Sequence, residues 1–178
     1  ALVTGSETST TIKAAIRFFA DASGSIGSEL VDTSFSQGDK FWISLDLKDA
    51  RDQSSGLVGV QLDLDWDSSR FKGLLHAIAP QFEIKPQGTI FPGKADDLGG
   101  GSLPNFGIGS AIGAGQYDRF AAIQLEVVAV NTTASAQDFT ISDTFASNFS
   151  FADGFDPGTG ELTIPIEGSQ VSNSPATG

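Results

Sequence analysis

A chain of 178 residues is long enough for one domain with a sizeable core, and its composition excludes several classes of function. It contains no cysteine, so neither disulfides nor thiol chemistry is available, and 22 acidic against 10 basic residues give a net charge of −12. Nucleic acids and anionic membrane surfaces need basic patches, so this charge argues against both as partners. No apolar run reaches the roughly 18 residues of a membrane span, and we expect no membrane insertion.

Short runs of alternating apolar and polar residues predict β-strands along the whole chain, because side chains point to alternate faces of a strand. Residues 1–11 form a polar N-terminal segment that leads into the fold, and residues 168–178 have the composition of a linker or tail. Turn-forming residues dominate 21–27 and 153–160, and residues 92–115 are glycine-rich and irregular. The predicted strands cover residues 12–19, 30–35, 41–47, 58–66, 82–90, 119–130, 139–151 and 162–166.

The strand at residues 58–66 has the clearest pattern in the chain. Its apolar face carries Val58, Val60, Leu62, Leu64 and Trp66. The opposite face carries a row of acidic residues, Asp63, Asp65 and Asp67. This alternation is typical of a half-buried strand in an antiparallel sheet. No segment has the length and periodicity of a substantial helix, so we predict a single all-β domain over residues 12–167, a β-sandwich or jelly roll.

The sequence contains no recognisable catalytic motif. His76 is the only histidine, which argues against a zinc site and against paired nucleophile–histidine chemistry. The glycine-rich stretch GGGSLPNFGIG lacks the strand–turn–helix context of a phosphate-binding loop. We therefore expect a protein that is not an enzyme.

Three sequence blocks, in order, resemble cohesin and cohesin-like modules: GDKFWISLDL, GLVGVQLDLDWDSSRFKGL and RFAAIQLEVVAVNTTASAQDFTIS. In the middle block, Trp66-Asp67-Ser68 stands where the family has Tyr-Asp-Pro, and Phe71 stands for the following leucine. The resemblance implies a nine-stranded jelly-roll sandwich, related to the folds of carbohydrate-binding modules, with one flat sheet face that docks a dockerin-type partner. The asparagine and aspartate of the family's binding strand fall here on Gly59 and Gln61.

The predicted partner-binding residues are Gln61, Asp63, Asp65 and Trp42. The first three lie on the polar face of the clearest strand, and the alternation around Trp42 places it on the polar face of another. An exposed tryptophan can anchor a partner or stack on a sugar. Two alternatives remain open. The acidic row can be a solvated face neutralised by Lys13, Arg17 or Lys48, and residues 92–115 can cover Trp42.

Calcium is a possible cofactor, because several aspartates lie in glycine-rich loops whose backbone carbonyls can complete the 6–8 oxygen ligands that this ion takes. The predicted ligands are Asp153, Asp156 and Glu161. Two further loops offer the same chemistry, one at Asp96-Asp97 and one at Asp49 and Asp52.

From these observations we expect a non-catalytic protein-interaction module that docks a dockerin-type or other protein on one sheet face. The chain has neither cysteine nor methionine, which predicts a module of a longer polypeptide that is secreted or displayed at the cell surface. Two alternatives remain: a carbohydrate-binding module that uses Trp42, Phe106 and Tyr117 on a polysaccharide, and a structural adhesin domain stabilised by calcium.

Overall fold

The computed structural model describes residues 11–79, 88–101 and 111–167. These residues form thirteen strands, several only two or three residues long, and two short 3₁₀ helices at Ala136–Asp138 and Ala146–Asn148. In chain order the strands are β1 (Ile12–Ala22), β2 (Ser25–Glu29), β3 (Ser34–Ser36), β4 (Lys40–Asp49), β5 (Leu57–Asp65), β6 (Phe71–Ile78), β7 (Thr89–Phe91), β8 (Lys94–Gly101), β9 (Asp118–Val127), β10 (Asn131–Thr133), β11 (Thr140–Ser142), β12 (Phe149–Phe151) and β13 (Ile166–Glu167).

Two main sheets pack face to face. The six-stranded sheet has the order β13-β1-β4-β9-β6, with β2 also paired to β1, and the five-stranded sheet has the order β11-β5-β8-β7, with β12 also paired to β5. β3 and β10 form a separate two-stranded ribbon. All described pairs are antiparallel except β1 with β13. The all-β jelly-roll-type sandwich is confirmed, although the described residues form thirteen strands and not nine, because turns and irregular segments divide the edges into short pieces.

One hydrophobic core fills the space between the two sheets. Val60, Leu62 and Leu64 of β5 are fully buried in it, as the alternation predicts. At the start of β5 the prediction is wrong by one residue: Leu57 is fully buried, whereas Val58 is partly exposed. The cause is a β-bulge against β12, where the pairing moves from Gly59 to Leu57 and leaves Val58 as the extra residue.

Two segments differ from their predicted structure for local reasons. Residues 21–27, predicted as a loop, form a tight hairpin between β1 and β2. Its turn residues Ser23 and Gly24 have positive φ values of 57° and 91°, and positive φ at both central residues is the requirement of a two-residue type I′ turn. The last predicted strand, at 162–166, is a strand only at Ile166–Glu167, although Ile164 still points into the core.

Parts of the sequence prediction fall outside the described residues. These are the N-terminal segment up to residue 10, most of the predicted strand at 82–90, residues 102–110 of the glycine-rich region, and the tail from residue 168. The described remainder of the two internal segments forms β7 and β8, which lie side by side in the five-stranded sheet. No helix within the described ranges is long and apolar enough to cross a membrane.

The close pairing of β5 with β8 predicts a strong requirement for glycine at position 99. Gly99 has a φ of +98°, and a Cβ there would overlap the carbonyl oxygen of Val60 and approach the Phe120 ring within 2.9 Å. We expect Gly99→Ala to lower the free energy of unfolding by more than about 2 kcal/mol in urea titrations, because a steric clash adds to the backbone strain.

The matched control is Gly154→Ala. Its φ of +81° is similarly unfavourable for alanine, but no atom lies within 4 Å of the added Cβ. The control should therefore lose only the backbone contribution of about 1 kcal/mol. Equal losses in the two variants would show that the β5–β8 approach is not what selects glycine.

Candidate functional site

The outer face of the five-stranded sheet contains most of the residues predicted to bind a partner. Strand register pairs Asp65 of β5 with Thr140 on one side and with Lys94 on the other, and Lys94 pairs in turn with Phe91 at the edge. Directly paired residues lie on the same face of a sheet. Asp63 points outward beside this row, opposite Ser142. We call this surface the β5 face; its residues are Thr89, Phe91, Lys94, Asp96, Gln61, Asp63, Asp65, Thr140 and Ser142.

The acidic row of β5 is neutralised in part across strands, as one alternative predicted, but by a different residue. The Lys94 ammonium lies 3.2 Å from Asp63 Oδ2 and 3.0 Å from Asp65 Oδ1. The predicted partners point elsewhere, since Lys13 pairs with Glu167 and Arg17 with Asp46 in the other sheet. Sequence periodicity assigns each residue to a face but cannot say which strand will be its neighbour.

Asp63 is the centre of a group of three carboxylates that the sequence prediction missed. One carboxylate oxygen from each of Asp63, Asp97 and Asp143 lies within 4.8 Å of the others; we call these three residues the acidic cluster. Asp63 is only 6% exposed, and its Oδ1 accepts a 2.8 Å hydrogen bond from the Asp97 backbone N–H. Asp97 and Asp143 have φ values of 54° and 55°, a left-handed conformation that aspartate tolerates better than most residues.

Negative charge accumulates around this cluster. Burial raises the pKa of Asp143, and the charges of Asp63 and Asp97 raise it further. The pKa of Asp96, beside the cluster, is also raised, first by burial and then by the same two neighbours. Such a group attracts a cation, either a metal ion or the charged end of a lysine or arginine side chain.

Trp42 does not belong to this face, and of the two alternatives for it, an exposed or a covered side chain, the structure has the covered one. It lies in β4 of the other sheet, is 4% exposed, and packs with Phe19, Ala122 and Ile26. Its indole Nε1 donates a 3.0 Å hydrogen bond to Asp21 Oδ1. The prediction placed Trp42 on the correct side of its strand, but the β1–β2 hairpin supplies Phe19 and Ile26 as cover. Among the described residues packed on it, none comes from the 92–115 region named as the alternative cover.

The predicted calcium ligands Asp153, Asp156 and Glu161 are not brought together; among the described residues only the acidic cluster has three possible metal ligands within reach of one another. Asp153 instead forms an ion pair with Arg51 at 3.2 Å. Asp156 Oδ1 accepts a 2.9 Å hydrogen bond from the Gly158 N–H within its own loop. The loop is therefore stabilised by an arginine and by backbone hydrogen bonds.

Arg51 lies between two acidic loops that the sequence offered as separate calcium sites, the loop at Asp49 and the loop at Asp153. Its guanidinium donates to Asp49 through Nε at 2.9 Å and Nη2 at 2.8 Å, and also contacts Asp153. Its guanidinium carbon also lies 4.7 Å from the centroid of the Phe151 ring and 4.3 Å from that of the Phe155 ring, and these two rings contact each other edge to face. The arginine thus joins the turn after β4 to the loop after β12.

Asp49 depends on this arrangement because its side chain is fully buried. Burial alone would raise the pKa of Asp49, but hydrogen bonds from Arg51 and from the backbone N–H groups of Ser55 and Gly56 outweigh burial and lower it. A carboxylate stabilised in this way contributes stability above its ordinary pKa and loses that contribution as the pH falls through its lowered value.

Comparison with known proteins was made at the levels of sequence and structure. No protein-family model matches the chain, and no curated protein matches it significantly. Among solved structures, the sixth cohesin of scaffoldin B from Acetivibrio cellulolyticus, in complex with a mutant Cel5 dockerin, is similar with 9% identity and a TM-score of 0.49, covering 89% of this chain and 96% of that chain. CaCohA2 from Clostridium acetobutylicum is similar with 14% identity and a TM-score of 0.48, covering 88% of this chain and 92% of that chain.

The complex of CaCohA2 with CaDoc0917 is also similar, with 12% identity, a TM-score of 0.45, and 75% and 89% of the two chains covered. The first of these structures is a cohesin, the family that the three sequence blocks resemble.

The Arg51 contacts predict a large stability loss in Arg51→Ala. Removing the guanidinium leaves the buried Asp49 carboxylate without its ion pair, a change that costs about 3 kcal/mol or more. In urea titrations at pH 7 we expect that loss, and we expect Lys72→Ala, an exposed lysine of β6, to change stability by less than about 0.5 kcal/mol. The gap between wild type and Arg51→Ala should narrow as the pH falls, because the folded variant protonates Asp49 at a higher pH than wild type, where Arg51 lowers the pKa of Asp49, while the unfolded chains titrate alike. A gap independent of pH would contradict the charge-based explanation.

For Asp143→Asn, in the acidic cluster, we predict a gain in stability instead of a loss. Because the pKa of Asp143 is raised, its ionisation opposes folding at pH 7, and asparagine also tolerates the left-handed backbone. Since the site is partly solvated, we expect a gain of only about 0.5 kcal/mol, or roughly 1–2 °C in Tm. The gain should disappear at about pH 3, where both states are protonated. Asp52→Asn, in an exposed loop, is the control. A lower Tm in Asp143→Asn would contradict the repulsion between Asp143 and its neighbouring carboxylates.

Proposed function

We propose that this domain is a non-catalytic protein-interaction module whose partner binds the β5 face. The observation that carries the proposal is the openness of this face. Thr140, Thr89 and Phe91 are exposed across the width of the sheet, although the strands beneath them are rigidly held by the core. A flat, solvent-accessible surface with one aromatic side chain among polar ones is suited to contact with another protein.

The surface depressions of the described chain do not suggest an active site. One of them, about 450 Å³, is open to solvent and is lined by serine, threonine and asparagine side chains and Phe35 of the β3–β10 ribbon. Ligand sites for small molecules are usually concave, mostly apolar pockets with a few convergent polar groups. A binding role on a sheet face therefore fits this molecule better than catalysis in a pocket.

The carbohydrate-binding alternative loses its main support, since Trp42 is buried. Phe106 lies outside the described residues. The Tyr117 hydroxyl donates a 2.6 Å hydrogen bond to Glu167, and the Lys48 ammonium lies 5.5 Å from its ring centroid, so its ring is not a free sugar platform. Calcium binding remains a second candidate, favoured only by the acidic cluster. A secreted or cell-surface location is part of the proposal and rests on composition.

A dockerin-type domain is the first partner to test, because the three sequence blocks resemble cohesins. Binding of a panel of dockerin-type domains would be measured by biolayer interferometry on the immobilised wild-type domain and two variants. Thr89→Arg places a bulky cation on the β5 face, and Ala77→Arg places the same group on an exposed position of β6 in the other sheet. We expect binding to weaken at least tenfold in Thr89→Arg and to stay within twofold in Ala77→Arg.

Either of two results would contradict the proposal. The first is equal loss of binding in both variants, which would place the interface elsewhere or indicate general misfolding. The second is a bound partner that is insensitive to Thr89→Arg. Circular dichroism and Tm of each variant provide the folding control.

A further inference from the structure

Among the described residues, the β5 face and the acidic cluster contain more carboxylates than cations. Asp63 and Asp65 share the single ammonium of Lys94. Asp97 and Asp143 bring two further carboxylates to Asp63 without bringing a cation. Among the described residues, Lys94 is the only positive group that lowers the pKa of Asp143, against three carboxylates that raise it. The face is therefore left with an unbalanced negative charge, although its backbone is well ordered by strand pairing.

Next to this charge lies an exposed aromatic ring. Phe91 is 48% exposed, and its pairing with Lys94 places it on the same face as the carboxylates. Register places Phe91 in line with Lys94 and Asp65, so two strand spacings of about 4.8 Å put Phe91 roughly 10 Å from Asp65, and Asp63, two residues further along β5, lies roughly 12 Å away. A large exposed aromatic side chain beside buried charge is the composition of an interface hot spot.

We infer that the partner of the β5 face carries a lysine or arginine that ion-pairs with the acidic cluster and an apolar side chain, roughly 12 Å away, that packs on Phe91. This inference rests on the proposed function and specifies the chemistry of the partner. On one side of a helix, residues i and i+7 are separated by seven rises of 1.5 Å, about 10.5 Å, and long side chains cover the remaining distance. The pattern would make association faster and more specific through charge complementarity.

Two other occupants fit the face less well. A second copy of this chain would bring another net charge of −12 against an acidic surface, and like charges across an interface repel. A calcium ion carries two positive charges and would be repelled more strongly than a singly charged side chain by the Lys94 ammonium, which lies 3.2 Å from one of the carboxylates. A single basic side chain needs fewer ligands, and a guanidinium can bond two carboxylates at once.

The test uses three synthetic alanine-rich helical peptides and the intact domain. The first peptide carries leucine at position i and arginine at i+7, the second has glutamate in place of the arginine, and the third carries the arginine at i+4. Binding is measured by fluorescence anisotropy at about 50 mM and 500 mM salt. We expect the first peptide to bind at least tenfold more tightly than either of the others, with a clear loss at high salt because the contact is charged.

Variants of the domain identify the contact. Asp97→Asn with Asp143→Asn removes two charges, while asparagine tolerates the left-handed backbone at both positions, so the fold should be retained. This double variant should lose at least tenfold in affinity for the first peptide, and Phe91→Ser should lose about threefold to tenfold. Asp52→Asn with Asp156→Asn removes the same number of charges from loops away from the face and should change the affinity by less than twofold.

The outcomes separate this inference from the function on which it rests. Equal binding of the three peptides, no binding, or equal losses in the two double variants would overturn the basic-partner inference. So would competition by 1 mM calcium together with a calcium-dependent rise in Tm that disappears in Asp97→Asn with Asp143→Asn, because the cluster would then be a metal site. The role of the β5 face as a docking surface is tested separately, by the response of dockerin-type domains to Thr89→Arg.

Discussion

Hydrogen bonding on both edges of β5 is the constraint on which the rest of this structure depends. β5 pairs with β8 along one edge and with β11 and β12 along the other, while its inner side chains fill the core. A strand fixed in this way presents its outer side chains at defined positions, because neither the backbone nor the register can shift without losing the core. The β5 face is therefore a rigid surface, and its carboxylates are held near one another despite their repulsion.

The molecule uses two different arrangements for its crowded carboxylates. Asp49 is fully buried and fully compensated, with an arginine on its oxygens and backbone N–H groups at its remaining lone pairs. The acidic cluster has one shared lysine and a backbone N–H for three carboxylates. The complete set of partners around Asp49 stabilises the fold, since removing one of them leaves an unpaired buried charge. Incomplete compensation at a surface costs stability and leaves binding capacity for a cation supplied from outside.

The free edges of the five-stranded sheet are short, and this too bears on binding. β11 and β12 each span three residues, and the chain between them turns away through Asp143 and a 3₁₀ helix. β7 is equally short. Short, interrupted edges discourage edge-to-edge pairing with other chains. Under the proposed function, a partner would contact the side chains of the β5 face, where charge and shape can select it, and would not pair with the backbone of an edge strand, where any extended peptide could bind.

The sequence by itself determined the features that depend on local periodicity. Strict alternation in residues 60–66 fixed β5 as a half-buried strand, assigned Asp63 and Asp65 to its outer face, and, with the turn-forming residues, fixed the all-β sandwich. The predicted side of Trp42 was also correct. One local signal was overlooked, the Ser23-Gly24 pair whose positive φ values form the hairpin that covers Trp42.

Only the tertiary structure decided which distant residues meet. Asp97 lies 34 residues from Asp63, and Asp153 lies 102 residues from Arg51, so no local pattern links either pair. Their contacts depend on strand order and on bulges that shift register by one residue, as between Leu62 and Leu64 opposite β8. Register is a property of two paired strands together, whereas periodicity belongs to one strand alone. The sequence could therefore predict an acidic face, but only the folded sheet could show which aspartates share it and that Lys94 is the cation beside two of them.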